Sequence, residues 1–238
     1  MRHVAIVMAA GTGSRMGTNV PKQYMNIGGI PILARTLMTI EETFIDEIVL
    51  VTRADDIDYC QKEIVDKYHI SKVSKIAEGG SERYLSVYKG LSAIDTQDTE
   101  SQFVYIHDGA RPFASKALWE RVKEAVTENG ATVTCVQAKD TVKVSGPDGL
   151  VKDTPDRSIL WYAQTPQAFR LDIISKAFER MLADKAARPV TDDASLVEMY
   201  SSVPVKIVAG EYSNIKITTP EDMIIGEALA MNRGNFGD

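Results

Sequence analysis

The sequence is poor in cysteine. Cys60 and Cys135 are the only two in 238 residues, and each lies inside an otherwise regular segment. Two isolated thiols provide neither a disulfide framework nor the ligand set of a zinc site. Because a free cysteine is usually buried, we expect two buried thiols in a reducing compartment.

Long apolar runs and an excess of basic residues are also absent. No stretch approaches the ~20 apolar residues that span a bilayer, and the short apolar run at residues 4–10 passes straight into a glycine-rich loop, unlike a signal peptide. The formal net charge is -6, whereas non-specific nucleic-acid binding usually needs a strongly basic face. We therefore expect a cytoplasmic protein that binds neither nucleic acid nor membranes.

The sequence does contain a regular alternation of short β-branched runs with longer amphipathic ones. It predicts strands at residues 3–8, 47–52, 73–77, 103–106 and 131–137, and helices at residues 31–42, 57–69, 82–94 and 116–129. Such alternation is typical of an α/β fold with a mostly parallel sheet and helices on both faces. In these sheets ligands bind outside the carboxyl ends of the strands, where strand order reverses. We therefore expect the chemistry in the loops that start at Ala9, Ala77 and His107.

The pattern changes after residue 139. Residues 140–152 are predicted to form two short strands around the turn Ser145-Gly146-Pro147-Asp148-Gly149. A hairpin with so few large apolar residues is marginal alone and should pack on something, such as a second subunit. Further on, we predict a turn at Thr165-Pro166-Gln167, helices at residues 171–185, 192–200 and 220–231, and a strand at residues 205–208.

The glycine-rich segment at residues 9–22 follows the first predicted strand. Its glycines let backbone N–H groups approach a polyphosphate closely, and Arg15 and Lys22 add two cations that can neutralise charge during phosphoryl transfer. The alternative is a tight turn without a ligand. The spacing matches neither a P-loop nor a dinucleotide fingerprint, because the first three glycines follow G-x-G-x-x-x-G.

A second motif, His107-Asp108-Gly109-Ala110-Arg111-Pro112, follows a predicted strand directly. A carboxylate at a strand's carboxyl end can hold Mg²⁺ against phosphate oxygens, directly or through water. Arg111 can grip a second phosphate or orient Asp108; the alternative is a structural Asp–Arg pair in a turn. We expect His107 to be a hydrogen-bonded turn histidine rather than a general base.

Paired glycines, Gly79 and Gly80, precede a predicted helix that carries Ser86. This arrangement suits a backbone-lined pocket for a base or a ribose. The alternative is a plain loop in which Ser81 caps the helix.

Two motifs lie towards the end of the chain. Lys216 falls in a β-type stretch, residues 205–218, where an inward-pointing charge is costly unless it is paired. The alternative is an edge-strand lysine that guards against aggregation. Thr191-Asp192-Asp193 is typical of a helix N-cap with acidic first-turn residues.

Together these motifs resemble the 2-C-methyl-D-erythritol 4-phosphate cytidylyltransferase family over residues 3 to about 231. The matching motifs are residues 9–17 with Pro21-Lys22-Gln23, Gly79-Gly80 with Arg83, residues 107–112, Asp140-Thr141 with Lys143, Asp156-Arg157, Leu160-Trp161, Gln164-Thr165-Pro166-Gln167, residues 191–195, residues 214–218, and Pro220-Glu221-Asp222. Each is modest alone, but their number and order make the resemblance specific.

The resemblance implies that CMP is transferred from CTP to methylerythritol phosphate, with Mg²⁺ as cofactor, in the non-mevalonate route to isoprenoids. It implies that the residues binding CTP are Ala9, Ala10, Gly11, Thr12, Gly13, Gly80, Ser81 and Ser86. The implied catalytic residues are Arg15, Lys22, Lys216 and Asp108, the last beside the metal. The implied contacts to the sugar phosphate are Arg111, Thr141, Arg157, Thr165 and Thr191.

The resemblance also implies an architecture. We expect residues 1–238 to form a single Rossmann-like nucleotidyltransferase domain with a protruding β-hairpin arm at about residues 139–160. In the family this arm reaches across a homodimer, so Thr141 and Arg157 would serve the partner's site.

The sequence departs from the family at two places and leaves two alternatives open. Gly109 stands where alanine is common, and Ser81 stands where an acidic residue often follows the glycine pair. A ribitol-5-phosphate cytidylyltransferase usually has valine at Ala110 and glycine at Ala163, and Asp-Ala-Cys in place of Asp192-Asp193-Ala194. A non-catalytic nucleotide-binding module would have lost some of the charged residues that are all present here, namely Arg15, Lys22, Asp108 and Lys216.

Overall fold

The computed structural model describes residues 1–11, 21–95, 98–184, 186 and 190–233. The strands in these residues are β1 (Arg2–Met8), β2 (Asn26–Ile27), β3 (Ile30–Pro31), β4 (Glu47–Thr52), β5 (Val73–Glu78), β6 (Gln102–Asp108), β7 (Ala131–Gln137), β8 (Val144–Ser145), β9 (Val151–Asp153), β10 (Trp161–Arg170) and β11 (Lys206–Ala209).

The helices in the same residues are α1 (Ile32–Glu41), α2 (Ile57–Tyr59), α3 (Arg83–Ser92), α4 (Lys116–Asn129), α5 (Leu171–Ala183), α6 (Asp193–Tyr200) and α7 (Pro220–Arg233). Helix α2 continues as a π-helical segment, Cys60–Asp66. Short 3-10 turns lie at Lys22–Tyr24, Ala54–Asp56, Thr99–Ser101 and Arg157–Ile159.

The main sheet has the strand order β11-β7-β10-β6-β1-β4-β5. Its neighbouring strands pair in parallel, except that β10 runs antiparallel to both β6 and β7. The chain moves outward from β1 through β4 to β5 and then returns to place β6 on the other side of β1, so strand order reverses at β1. The predicted α/β fold with a mostly parallel sheet is confirmed.

Helices cover both faces of the sheet. Alternate residues of β1 point to opposite faces and therefore pack against different helices. Ala5 and Val7 pack with apolar residues of α1 and α4 in one buried cluster. Val4 and Ile6 pack with those of α3, α5 and α6 in another. A third, smaller cluster joins residues near β2 and α1 to the segment before α7, through Ile217.

Most predicted elements are confirmed to within a few residues, but the turn predicted at Thr165-Pro166-Gln167 is wrong. These residues lie inside β10, at a point where the pairing with β7 shifts register between Ala163 and Gln167. The Thr165–Pro166 peptide bond is cis. A proline inside a central strand is tolerated at a bulge, where no ladder hydrogen bond is required from it.

The β-type stretch predicted around Lys216 is also wrong. Strand β11 ends at Ala209, and Lys216 lies in an irregular segment ahead of α7. Ile217, fully buried in the third cluster, anchors that segment, and its backbone N–H donates to the Ala110 carbonyl at 2.9 Å. Lys216 is therefore not an edge-strand lysine.

The predicted hairpin forms from β8 and β9. Large apolar side chains of the arm are exposed, with Leu150 67% and Ile159 73% accessible in the single chain. In the part of the chain that the structure describes, no helix has both the length and the apolar character needed to cross a membrane.

Both cysteines are free and buried, as expected. Burial raises the pKa of the Cys135 thiol to about 11, and it also raises the pKa of Cys60. Both side chains therefore stay protonated and pack as small apolar groups.

Candidate active site

A cavity of about 340 Å³ opens at the carboxyl ends of β1 and β6 and beside the loop that follows β5. This is the edge of the sheet at which the reversal of strand order predicts a ligand. The lining residues are Met8, Ala9, Ala10, Gly11, Lys22, Gln23, Gly80, Ser81, Glu82, Arg83, Ser86, Asp108, Ala110 and Lys216. The structure thus brings together most residues predicted to bind the nucleotide with three of the four predicted to be catalytic.

Backbone hydrogen bonds carry the parallel pairing past the strand ends and fix these loops. Ala9 N donates to Val51 O at 2.7 Å, and Gly79 N donates to Thr52 O at 2.7 Å. A Cβ on Gly79 would lie 2.6 Å from the Cβ of Ala10, so only glycine permits this close approach. The first and third predicted loops are therefore held side by side.

The loop after β5 turns on a side-chain hydrogen bond. The buried Ser86 hydroxyl accepts from Gly80 N at 2.9 Å. The residue that caps α3 is Glu82, without a side-chain cap bond, so the interpretation of Ser81 as the helix cap is wrong. Ser81 instead lines the cavity.

Lys22 lies on the 3-10 turn that leads away from the glycine-rich segment, and it lines the cavity. The next residue, Gln23, is buried, and its Nε2 donates to Ala9 O at 2.9 Å, which ties the two ends of the segment together. Sequence reasoning assigned no role to Gln23. The predicted ligands Thr12, Gly13 and Arg15 lie outside the described residues.

Asp108 is the electrostatic centre of the cavity. Its Oδ2 lies 3.0 Å from Lys216 Nζ and 3.1 Å from Arg111 Nε. Burial alone would raise the pKa of this carboxyl, but the charges of Lys216, Arg111 and Arg83 outweigh it and hold the pKa far below the usual range. The carboxylate is therefore ionised, and the charge of Lys216 is paired, as an inward-pointing lysine requires.

Arg83 lines the cavity, and no role was predicted for it from the sequence. Its two terminal nitrogens bind both carboxylate oxygens of Asp193, at 2.9 and 2.7 Å. Burial would lower the pKa of the Arg83 guanidinium, but the charge of Asp193 offsets this and raises it. This pair joins the start of α3 to the start of α6, 110 residues away. Its signal in the sequence was weak, because the two residues lie 110 positions apart and Arg83 has a nearer acidic neighbour, Glu82.

Thr191 lies in a smaller cavity on the far side of Arg83, next to Asp192 and Asp193. The predicted N-cap is confirmed: the Asp192 side chain accepts from Ser195 N, and the Ser195 side chain accepts in return from the Asp192 backbone. The segment is therefore fixed by a capping box, with the Thr191 side chain left exposed.

Arg111 and Thr165 lie behind the cavity and do not line it. Thr165 is 4% exposed, and its hydroxyl accepts from Asp108 N at 3.0 Å. His107 is buried between Thr165 and the Arg111 carbonyl, which confirms a hydrogen-bonded histidine, although it lies within β6 and not in the predicted turn. Burial lowers the pKa of His107 to about 4, so its ring is neutral at pH 7.

The neutral state of His107 predicts a pH dependence of stability. The pKa of an unfolded histidine is about 6.5. Because folding lowers it to about 4, the unfolded chain binds the extra proton between these values, and stability falls as the pH drops through that window. Urea unfolding from pH 7.5 to pH 4.5 should show this loss, and His107→Asn should remove part of the slope. Equal slopes in both proteins would contradict the prediction; His3, also shifted downward, is common to both.

Thr141 and Arg157 lie on the arm and do not line the cavity of their own chain. Arg157 donates through Nη1 to Lys139 O at 3.0 Å and is otherwise exposed. The structure therefore leaves these two residues apart from the others predicted to bind the sugar phosphate.

The carboxylates that line the cavity fit a magnesium ion that would be shared with substrate phosphates. Within the described residues, no group of three or more His, Cys, Asp or Glu side chains could hold a metal. Among the described lining residues the carboxylates are Asp108, at the end of β6, and Glu82, and Mg²⁺ typically uses one or two carboxylates together with substrate phosphates and water.

The fold and the site together define an α/β nucleotidyltransferase. The family model for 2-C-methyl-D-erythritol 4-phosphate cytidylyltransferase matches residues 3–232. The chain belongs to this family, and it is a cytidylyltransferase.

Relatives that carry this family's name match nearly the whole chain, in sequence and in fold. The 2-C-methyl-D-erythritol 4-phosphate cytidylyltransferase of Geobacter metallireducens is 46% identical, covering 94% of this chain and 96% of the relative. That of Lachnoclostridium phytofermentans is 43% identical, with 98% and 97% covered. The crystal structure of 4-diphosphocytidyl-2C-methyl-D-erythritol synthase from Anaerococcus prevotii superposes with a TM-score of 0.82 at 40% identity, covering 97% of this chain and 98% of that one.

Proposed function

We propose that this chain transfers CMP from CTP to 2-C-methyl-D-erythritol 4-phosphate, giving CDP-methylerythritol and pyrophosphate. The observation that carries the proposal is the cavity lined by Lys22, Lys216 and the loop after β5, in which Lys216 pairs with the ionised carboxylate of Asp108, in a chain of this family. The alternative substrate, ribitol 5-phosphate, is addressed by the assay below.

On the donor side, the triphosphate of CTP would lie along the glycine-rich segment, with the base and ribose in the loop after β5. Lys22 supplies a cation at the end of that segment, and Gly80, Ser81 and Ser86 line the same cavity. The proposed CTP ligands are Ala9, Ala10, Gly11, Thr12, Gly13, Gly80, Ser81 and Ser86, with Arg15 as a further catalytic cation.

On the acceptor side, the attacking phosphate is already anionic at neutral pH and needs no general base. It needs positive charge, since it must approach a second polyphosphate. Lys216 lines the cavity and offers this charge, and Arg111 adds a guanidinium behind Asp108. The other proposed acceptor contacts are Thr165, whose hydroxyl binds the Asp108 amide, Thr191, beside Arg83, and Thr141 and Arg157 from the arm.

Mg²⁺ is proposed as the cofactor, with Asp108 as the residue that holds it. When bound, the ion would neutralise charge on the phosphate oxygens. Asp108 is suited to this because its carboxylate stays ionised, while Lys216 and Arg111 both bind its Oδ2 atom.

The choice of sugar phosphate is tested with purified protein, CTP and Mg²⁺, by following pyrophosphate release with methylerythritol phosphate and with ribitol 5-phosphate in parallel. We expect release with methylerythritol phosphate. Faster release with ribitol 5-phosphate would assign the chain to the alternative substrate. Binding of CTP without release from either sugar phosphate would indicate a non-catalytic nucleotide-binding module.

Lys22→Ala is expected to lower turnover by about 10²–10³-fold, the usual cost of removing one charged group that stabilises a transition state. The fold should survive, since Lys22 lies on a short turn at the cavity and not in the core. Steady-state pyrophosphate release at saturating CTP checks this, with Lys206→Ala on the exposed edge strand as the control. Turnover of Lys22→Ala close to the wild-type value would rule out the role.

We also propose that the chain acts in the cytoplasm as a homodimer held by the arm. The two free buried thiols suit a reducing compartment. The exposed apolar side chains of the arm, among them Leu150 and Ile159, are of the kind that a subunit interface buries. The separation of Arg157 from the cavity of its own chain fits a role in the partner's site.

Mixing two inactive variants tests this arrangement. If Arg157 serves the partner's site, a dimer of one Lys216→Met subunit and one Arg157→Ala subunit retains one complete site. Half of the dimers in an equal, re-equilibrated mixture are of this mixed kind, so about a quarter of wild-type turnover should return. Turnover no higher than that of the separate variants would show that Arg157 acts within its own chain or not at all.

A further inference from the structure

Residues 137–139 enter the arm and residues 157–160 leave it, and we call these two segments the arm root. The segments are paired with each other, since Ala138 N donates to Leu160 O at 2.9 Å. Of the seven residues only Ala138 is buried. Within the described residues, β8 and β9 pair with each other and with no other strand. Packing inside the single chain therefore does little to fix the direction in which the arm points.

Tyr212 binds the arm root from outside it. Its hydroxyl donates to Gln137 O at 2.8 Å, and Lys139 Nζ lies 3.6 Å from the centroid of its ring, where a cation is attracted to the aromatic face. Lys139 O in turn accepts from Arg157 Nη1 at 3.0 Å. Tyr212, Lys139 and Arg157 also line one open cleft. A continuous chain of contacts thus leads from Tyr212 to the guanidinium of Arg157.

The segment that carries Tyr212 is itself anchored on β10. On one side of Tyr212, the Glu211 carbonyl accepts from Gln164 Nε2 at 2.9 Å. On the other side, the buried Asn214 donates through Nδ2 to a carbonyl of β10 at 2.8 Å. Lys216 follows on the same segment. Tyr212 is therefore held firmly enough to fix the more exposed arm root against the sheet.

We propose that Tyr212 is the positioning residue of the arm, and that it places Arg157 in the partner's site through Gln137 and Lys139. The effect on turnover rests on the proposed function and on the proposed homodimer. The contact between Tyr212 and the arm root does not, and its effect on the arm can be measured without substrate.

The first test is kinetic and uses Tyr212→Ala, which removes the ring and the hydroxyl. We expect kcat/KM for the sugar phosphate to fall about 10-fold, because a misplacement of about 1 Å in a group that contacts substrate costs up to about 10²-fold. The KM for CTP should change by less than about twofold, since Tyr212 and the arm root do not line the cavity. Tyr212→Phe keeps the ring beneath Lys139 and should lose only about threefold, the effect of one hydrogen bond.

The matched control is Tyr200→Ala. The hydroxyl of Tyr200 also joins two segments, since it donates to Asp184 Oδ2 at 3.0 Å, but Tyr200 lies at the end of α6 and does not line the cavity. It should lose stability to a similar extent and keep wild-type kinetic constants. Equal values of kcat/KM for the sugar phosphate in Tyr212→Ala and Tyr200→Ala would overturn the proposal.

Mixed dimers show on which site Tyr212 acts. A dimer of one Tyr212→Ala subunit and one Lys216→Met subunit keeps one complete site, because the first subunit supplies Lys216 and receives an intact arm. About a quarter of wild-type turnover should then return in an equal, re-equilibrated mixture assayed at low sugar phosphate. A dimer of Tyr212→Ala with Arg157→Ala has no complete site, and this mixture should exceed neither separate variant.

The opposite pattern would overturn the proposal. Recovery with Arg157→Ala and not with Lys216→Met would mean that Tyr212 acts on Lys216, four residues further along its own chain. Recovery with neither partner, while Lys216→Met and Arg157→Ala complement each other, would make the effect of Tyr212→Ala a general loss of structure and would equally overturn it.

The second test is amide hydrogen exchange without substrate. Tyr212→Ala should lose protection at the amides of Ala138 and Leu160, which both donate within the arm root, relative to Tyr200→Ala at equal global stability. Unchanged protection at both amides would overturn the positioning role. If wild-type protein releases no pyrophosphate, or if Lys216→Met and Arg157→Ala fail to complement each other, the proposed function or the proposed dimer fails. This measurement still decides whether Tyr212 holds the arm root.

Discussion

Lys216→Met is expected to lower turnover by about 10²–10³-fold with little loss of stability. Methionine keeps an apolar stem of similar length and removes only the charge. The carboxylate of Asp108 remains paired with Arg111 at 3.1 Å, so no buried charge is left without a partner. The lost cation is the one that lines the cavity beside Asp108, where the acceptor phosphate would lie.

The matched control is Lys176→Met. Lys176 also binds a buried carboxylate that an arginine shares, with Nζ 3.4 Å from Asp172 Oδ2, but it lies on α5, away from the cavity. Steady-state pyrophosphate release and urea unfolding of both variants separate the catalytic effect from the loss of an ion pair. Equal turnover in the two variants would remove Lys216 from the reaction.

Asp108→Asn is expected to affect stability and turnover together. The change leaves Lys216 and Arg111 facing each other across an uncharged amide, and breaking a buried pair of this kind costs about 3 kcal/mol. Turnover should fall by about 10² or more, since the carboxylate that orients both cations and would hold Mg²⁺ is lost. Pyrophosphate release with a Mg²⁺ titration, together with urea unfolding, checks both parts.

The control for Asp108→Asn is Asp172→Asn, another buried carboxylate that binds one arginine and one lysine. It should lose stability and keep turnover. The stability loss of Asp108→Asn should also depend on pH. The folded pKa of Asp108 is lowered, so its contribution is present above the unfolded pKa of about 3.9 and fades as the pH falls below it. A stability difference that persists unchanged at pH 2.5 would contradict this assignment.

The fold was largely predictable because its signals are local. Strands such as β4 and β7 are continuous apolar or β-branched runs, and α4 has a clear amphipathic period, so their bounds matched the prediction. Strand β10 was missed because Pro166 in its middle is typical of a turn, and only the register shift with β7 makes proline acceptable there. That shift depends on the partner strand and is not visible in the sequence of β10.

The candidate site also has a part that could be predicted from the sequence and a part that could not. The donor side follows from short motifs at strand ends, so Ala9, Gly80 and Asp108 were found from the sequence and lie together. Contacts made across the fold were not predictable, because the chain carries no local mark of them. The pairing of Arg83 with Asp193 and the bond from Asn214 to Thr165 join segments 110 and 49 residues apart.

The position of β10 has a consequence for how the protein reaches its native state. Although β10 follows both β6 and β7 in the chain, it lies between them, so β7 and β11 cannot join the rest of the sheet until β10 has inserted. Pairings over such long loops carry a high entropic cost and form slowly. During folding, β1, β4, β5 and β6 can therefore assemble the nucleotide loops first, while Thr165 on β10 and the segment after β11 that carries Lys216 follow them in the chain. Competence for catalysis would then be acquired in the last step of folding, after most of the secondary structure is in place.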